Sequence, residues 1–459
     1  DRRLPLLKSS ARDLPERQRT LQGAIAWSYD LLDPTEQRLF TWLGVFIGGW
    51  QLAAVEAVAG EDVEIDMLDA MTSLVDKSLI RQATDAGIEP RFWMLETIRE
   101  FAADRLAESD EREAVARRHA KFFLALAEEA EPHLTAADQQ EWLEGLQREM
   151  DNMRTAMAWT VEQLHPEMGL RMGAALWRFW QFRGHLEEGA GRMDALLAMP
   201  EAAAPTEIRA NGLNALASIL YWQGEYPRAR RLYEEALGIY RDQGNRRGLA
   251  AVLYSLGYVA GIERSYEEAR SYYEESRALA REIGDRKLEA YNGLGLSLVA
   301  QLRGDPKASV AIAREALPLL EELGEAWGMA NIMGMIGRAS SYLGDPAEAR
   351  ESLRRALQLF RESGDVPGMT WVLDDLATVE LAEHQWDRAL RIGGAAEASR
   401  EALGARAPIQ LTQYEDPRLK VRGHLADPDI DAAWAAGKAM TIEEAVAYAL
   451  EEVPAEASG

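Results

Sequence analysis

Five glycines set the frame of this chain: Gly244, Gly284, Gly324, Gly364 and Gly404 stand 40 residues apart. Other positions keep the same phase. Ala229, Ala269, Ser309, Ala349 and Ala389 form one series of small residues, and Ala236, Ser276, Ala316, Ala356 and Ala396 a second. Leu216, Leu256, Leu296, Ile336 and Leu376 each precede a small residue. A tight turn recurs as QGEY, ERSY, RGDP, LGDP and EHQW, ending at Tyr226, Tyr266, Pro306, Pro346 and Trp386. A period of this length restricts the fold to stacked units, because one unit alone cannot bury its apolar face. Small residues at fixed helical offsets let two helices approach closely. Gly, Asp and Pro suit the turn between them, and the glycine ending each unit fits the left-handed residue that follows a helix. Helix–turn–helix hairpins are therefore predicted over about 210–409. A degenerate sixth precedes them at about 170–209, with Trp177 and Trp180 in its first helix and Gly184 in the turn phase.

The order of bulky, small and turn positions resembles the tetratricopeptide repeat in a lengthened, 40-residue form. A solenoid of such hairpins curves, with its first helices lining the concave side. Groove positions then fall at the second, fifth and ninth residues of each unit: Asn211, Asn214 and Ser218; Tyr254 and Tyr258; Tyr291; Asn331 and Arg338; Trp371, Asp374 and Thr378. Rings, amides and an arginine suit a peptide segment or a polar small molecule. The alternative is that these aromatic residues pack between repeats. Arg338 and Trp371 are the stronger candidates, since a cation and a large ring on a groove are harder to explain as packing.

The fold class expected is mainly α. The predicted order is a tail of a preceding domain (1–19), a winged-helix domain (20–108), a helical connector (109–169), the repeat solenoid (170–409), and a C-terminal helical cap with linker (410–459). The 459 residues agree with a prior of about three domains. Lys plus Arg is 51 against 76 Asp plus Glu, a net charge of −25, so the chain should repel nucleic-acid phosphates and anionic membranes. With no cysteine, disulfides, thiolate catalysis and cysteine metal sites are excluded. The six histidines show no ligand spacing. No apolar run is long enough to span a bilayer. WVLDD (Trp371 to Asp375) and GLGL (Gly293 to Leu296) resemble nucleotide-binding fragments, yet both fall inside repeat helices with no strand before them. A start at Asp1 without a leader is expected of a piece of a longer cytoplasmic protein.

The N-terminal third reads differently. Residues 20–32 form an amphipathic helix, and Asp33 followed by Pro34 starts the next with its cap and first-turn proline in order. Short helices at about 51–59 and 65–78 precede two β-like runs, Leu79 to Gln82 and Arg91 to Leu95, around a turn with Asp85 and Gly87. Three helices and a hairpin give the order of a winged helix, closed by the helix ETIREFAADRLAES. Between residues 33 and 83 nine acids face three bases (Arg38, Lys77 and Arg81). The helix in the recognition position carries Asp66, Asp69 and Asp76 against Lys77. DNA readers bind phosphates with Lys and Arg, so packing against a neighbouring domain is the expected role.

AWSYDLLDPTEQRLFTWLGVFIGG (Ala26 to Gly49) resembles the winged-helix segment of NB-ARC proteins, within the signal-transduction ATPases with numerous domains (STAND). The matching positions are Ser28, Tyr29, Asp30 and Leu31, then Phe40 and Leu43. WMLETIREFA (Trp93 to Ala102) is similar to the family's Met-His-Asp stretch, with Leu95 in place of the histidine that touches the nucleotide. Segments at 117–134, 142–159 and 432–450 resemble bacterial regulators of this class, whose ATPase is joined to a tetratricopeptide sensor and often to a LuxR-type DNA-binding domain. The resemblance implies a sensor arm. An effector or partner on the repeats would be relayed through the winged helix to an upstream nucleotide-binding domain carrying ATP or ADP, and opening would permit self-association. No GxxxxGK[ST] loop occurs, so no cofactor is expected in this chain and it is not expected to be an enzyme. The alternative function is a stand-alone tetratricopeptide scaffold for protein partners.

Overall fold

The computed structural model describes residues 21–60, 66–83, 90–136, 138–403 and 416–451. The chain divides into two compact units, Asp1–Ile239 and Tyr240–Gly459.

The first unit opens with α1 (Leu21–Asp30) and α2 (Pro34–Leu43). The expected cap at α2 is complete. Asp33 accepts from the amides of Thr35 and Glu36, and the Glu36 carboxylate accepts from the Asp33 amide at 2.9 Å. Reciprocal capping of this kind satisfies amides that the first helical turn leaves without partners. A short strand β1 (Trp50–Gln51) follows, then α3 (Leu52–Ala59), α4 (Met67–Asp76), β2 (Arg81–Ala83), β3 (Arg91–Trp93) and α5 (Glu96–Ala107). The sheet is antiparallel in the order β1-β3-β2, with Phe92 opposite both Trp50 and Gln82. The sequence reading missed β1, because two residues are too few for an alternating pattern. Asp85 and Gly87, expected in the hairpin turn, lie outside the described residues. Leu39, Phe40, Leu43, Met71, Leu74 and Phe101 fill the core. The fit is close at Gly44, where an added Cβ would stand 2.5 Å from the Ala103 amide nitrogen.

The unit continues through α6 (Arg112–Ala130), a 3-10 turn at Glu131–Thr135, α7 (Gln139–Glu162), α8 (Pro166–Arg183), α9 (Leu186–Leu197), α10 (Glu207–Gln223) and most of α11 (Tyr226–Gln243).

The second unit holds α12 (Arg246–Ile262), α13 (Tyr266–Ile283), α14 (Arg286–Leu302), α15 (Pro306–Leu323), α16 (Ala326–Tyr342), α17 (Pro346–Ser363), α18 (Val366–Ala382) and α19 (Trp386–Leu403). Successive helices pack as four hairpins. The period is written in the backbone: Gly244, Gly284, Gly324 and Gly364 sit at φ of 66° to 71°, as a residue after a helix C-terminus should. Gly404 lies outside the described residues. In the turn inside each hairpin the left-handed position is Gly304 or Gly344 at φ 79°, but Arg264 and His384 at φ 62°. The ERSY and EHQW turns thus keep the geometry of the glycine turns with a side chain, at a cost of about 1–2 kcal/mol each. Tyr273, fully buried, fills the space that Gly257 and Gly295 leave open; a Cβ on either would lie 2.6 Å from its ring.

The unit closes with α20 (Pro417–Val421), α21 (Asp427–Lys438) and α22 (Ile442–Leu450). Ala445, Val446 and Ala449 of α22 join the core of α17–α19. Arg388 donates to the carbonyls of Tyr448, Ala449 and Glu451, and Arg354 to that of Leu450. Two guanidinium groups thereby satisfy the open carbonyl end of the last helix.

Candidate functional site

In the first unit, the end of α6, the turn at Glu131, α8 and α10 enclose a cleft of about 420 Å³. Asn211 and Asn214, both expected on a groove, line it together with Glu128, Glu131, Arg171 and Trp177. Arg171 is engaged by Glu128 through two parallel bonds of 2.7 and 2.8 Å. Asn214 Oδ1 is shut off from solvent with no hydrogen-bond partner among the described residues, and the Arg178 guanidinium lies 4.0 Å from the Trp177 ring. Glu131 is exposed at the rim, and partial desolvation there, aided by neighbouring Glu128, holds its carboxyl above its ordinary range. Ser218 is turned inward, its hydroxyl bonded to the Asn214 carbonyl and to Tyr233.

In the second unit, the predicted tyrosines form a run of rings on successive first helices. Tyr254 donates to Tyr258 at 3.1 Å, and both meet Tyr273 edge-on at 5.9 and 5.8 Å. Tyr254 also meets Tyr291, which stacks on Trp327 at 5.8 Å. Burial among these rings pushes the Tyr254 phenol well above its ordinary value. Trp327 is 42% exposed, and its indole donates to Asp365 at 2.9 Å. Asn331 donates to the Trp327 carbonyl in its own helix. The run is part packing and part open surface: Tyr273 anchors it, and Trp327 is its exposed end.

Beyond it lies a charge cluster. Arg338 grips Asp375 with bonds of 2.8 and 2.9 Å, and Arg400 pairs with Asp374. Arg338 is thus engaged within the fold rather than presented as an open cation. Burial pushes the Asp374 carboxyl up to about 6, against the pull of Arg400, and one of its oxygens stays buried with no partner among the described residues. Burial likewise raises Asp375 against Arg338. Trp371 is half-buried one turn earlier in α18, and Thr378 bonds to the Asp374 carbonyl. Sequence phase found Arg338 and Asp374 but missed Asp375, Arg400, Trp327 and Tyr273. Asp375 was legible, since it stands beside Asp374 in the repeat that follows that of Arg338. Arg400 was not, because it reaches in from a second helix.

The winged-helix region presents a different surface. Asp66, Asp69 and Asp76 are exposed on α4 beside Leu68 and Thr72. Lys77 is drawn to Glu36, whose carboxylate Lys77 and Ser73 hold below its ordinary range despite burial. This face is acidic, as the residue count implied, and ill suited to phosphates. Leu95, at the N-cap of α5, is 44% exposed. On the other side a polar joint fastens the region to α7. Fully buried Asn152 accepts from the Ile47 amide and donates to the Gly49 carbonyl, both at 2.8 Å. Arg91 pairs with buried Glu149 and donates to the Arg148 carbonyl at 2.9 Å. His119 packs between Phe46 and Phe123, where burial drops its pKa to about 4. Among the described residues no three His, Asp or Glu side chains are grouped to hold a metal, and no helix is long and apolar enough to cross a membrane.

Comparison with known proteins identifies two kinds of domain. Residues 32–107 match the family described as winged helix-turn-helix domain, and residues 209–242, 249–322 and 328–402 match tetratricopeptide-repeat families. The chain carries a winged helix-turn-helix domain followed by tetratricopeptide repeats. A Mycobacterium tuberculosis protein named "Putative HTH-type transcriptional regulator Rv0890c" is 35% identical over 267 residues, 56% of this chain and 30% of that protein. The matched stretch is thus under a third of that relative's length. An uncharacterised protein of the same species, Rv0894, is 30% identical over 26% of this chain and 31% of its own. Among solved structures, a STAND protein with a tetratricopeptide repeat sensor from Pyrococcus horikoshii superposes with a TM-score of 0.54 at 15% identity, covering 93% of this chain and 65% of its own. At that identity the likeness is one of fold. The winged-helix and tetratricopeptide domains are those the sequence led us to expect.

Proposed function

We propose that this chain is the sensor arm of a STAND-type ATPase that controls transcription. The repeats bind an effector or protein partner, and the winged helix relays the bound state to a nucleotide-binding domain encoded upstream. That domain, not this chain, carries ATP or ADP, and the full protein works in the cytoplasm. The observation that best supports the reading is the joint at Asn152. The winged-helix region is fixed to α7 by side chains that are themselves buried and bonded, while its α4 surface is acidic and faces solvent. Such a domain is built to be held by protein rather than by DNA.

The arm itself performs no chemistry; it works by differential affinity. An effector that binds one arrangement of the arm more tightly shifts the switch by that difference and no more. The test is the complete gene product. An upstream GxxxxGK[ST] loop is expected, and Asn152→Ala should blunt the effect of an effector on nucleotide exchange while leaving effector affinity unchanged. An upstream region with no phosphate-binding loop would refute the proposal and favour the stand-alone scaffold.

A further inference from the structure

The first helices of the second unit carry a strip of four rings in contact. Tyr258 and Tyr254 of α12 meet edge-on at 5.1 Å, Tyr254 meets Tyr291 of α14 at 6.3 Å, and Tyr291 stacks on Trp327 of α16 at 5.8 Å. The three tyrosines are half-buried and Trp327 is 42% exposed. Polar ends of the strip are taken up inside the fold: Tyr254 donates to Tyr258, Tyr291 to Glu325, and the Trp327 indole to Asp365. What the strip offers a partner is therefore ring surface, and at its open end that surface is fixed in place. Trp327 is held at its ring by Tyr291 and at its N–H by Asp365, so little side-chain freedom remains to be lost when a partner lands on it. The charge beside this end is negative. Glu325 pairs with Lys287 at 2.6 Å. Asp365 accepts from the Gly368 amide and from the indole, both at 2.9 Å, and no cation pairs with it among the described residues. Two carboxylates thus stand against one ammonium, in a chain of net charge −25. An aromatic face attracts cations through its quadrupole. A guanidinium is planar, stacks on rings and keeps N–H donors in its plane for a carboxylate, so it matches a ring and an acid set side by side. An aliphatic or acidic partner satisfies at most one half of that pair.

We propose that this strip is the docking surface for an arginine-bearing segment of a partner protein. The guanidinium lies on the open side of Trp327 with its donors on Asp365, and the residues next to it run along Tyr291 and Tyr254 toward Tyr258. The inference rests on the sensor reading and names the partner chemistry of its repeats.

The test is a magnetic-resonance titration of the full chain, read from ligand signals, with acetyl-Gly-Leu-Ser-Arg-Gly-amide. The comparisons are the same peptide with citrulline or glutamate in place of arginine, and free L-arginine. The arginine peptide should bind, and added salt should weaken it. The neutral citrulline peptide should bind roughly tenfold more weakly, and the glutamate peptide should not bind. Free arginine should also be weaker than the peptide, since it leaves the tyrosines uncovered. Trp327→Ala and Asp365→Asn should each weaken the arginine peptide roughly tenfold, with melting temperatures near that of the parent chain. Asparagine keeps the cap that Asp365 provides at the start of α18, and Trp327→Phe, which keeps a ring, should do less harm than Trp327→Ala. No binding of the arginine peptide, citrulline or glutamate peptides binding as tightly, or unchanged affinity in both folded variants would overturn the proposal; free arginine binding as tightly as the peptide would overturn the docking of a segment. The complete gene product separates this failure from failure of the sensor reading. Arginine-peptide binding with no upstream phosphate-binding loop, or with no change in nucleotide exchange, keeps the docking surface and removes the relay. Nucleotide exchange that responds to another ligand, with no arginine peptide bound, does the opposite.

Discussion

The pairing of Asp374 with Arg400 makes a prediction about pH that runs against the usual behaviour of a carboxylate. Burial raises the Asp374 carboxyl from 3.8 to about 6 in the folded chain. The folded state therefore takes up its proton more readily than the unfolded state. The group's stabilising contribution is present at low pH and is lost as pH rises through the folded value. A shift of about two units corresponds to about 3 kcal/mol in full at about 1.4 kcal/mol per unit. Between pH 5 and 7.5 the part at stake is about 1.4 kcal/mol. Asp374→Asn removes the titration and keeps the shape. The parent chain should lose about 1.4 kcal/mol relative to this variant over that interval, read as amide-exchange protection on α18. Differencing the two proteins cancels groups that titrate in both. Among them is His119, whose burial to a pKa of about 4 works in the opposite sense, its contribution being lost as pH falls below about 6.5. Parallel protection curves for the two proteins would show that Arg400 keeps Asp374 ionised throughout, and the burial argument would fail.

Three further outcomes are expected. Arg388→Ala should release α22 and leave Glu380, which is 2% exposed, with Arg350 as its remaining partner; a loss of about 1.5–3 kcal/mol and early proteolytic cleavage after α21 would be the signs. Tyr273→Ala should cost about 3–5 kcal/mol in chemical denaturation by opening a cavity between Gly257 and Gly295, whereas Trp327→Ala, at the exposed end of the same run of rings, should cost far less. The full chain should show no binding to duplex DNA in fluorescence anisotropy, even at low salt where phosphate contacts are strongest; tight, salt-sensitive binding would refute the reading of the α4 surface.

What the sequence disclosed depends on whether a feature repeats. The 40-residue period fixed helix boundaries because each glycine marks one backbone need, a positive φ, and Gly284, Gly324 and Gly364 all meet it. The turns at Arg264 and His384 show the limit of that rule: the geometry persists where the glycine does not, so phase was a better guide than residue type. Capping was equally legible at Asp33, where Pro34 and Glu36 belong to one local motif. The candidate groove was harder. Phase says which residues face one side of a helix, but not whether a partner from elsewhere has already engaged them. Arg338 satisfied every rule for an open cation and is held by Asp375. Tyr254 and Tyr258 satisfied every rule for a binding face and are half given over to packing on Tyr273.

The polar groups left without partners point to the same physical lesson. Asn214 and Asp374 were both singled out by phase, and each has an oxygen that the fold buries and leaves unbonded. Burying such an atom costs about 1–3 kcal/mol, and the repeat architecture offers no structural need for it: the positions in phase with Asn214 carry Tyr254, Leu294, Gly334 and Asp374, so the helix is made as well with a ring, an aliphatic chain or no side chain at all. Asn292 and Gln301, on another first helix, also bury an oxygen without a partner among the described residues, so such an atom marks a position to test and does not by itself mark a binding surface. Asn214 in the first unit and Asp374 in the second are therefore positions to test by substitution alongside Arg338 and Trp371.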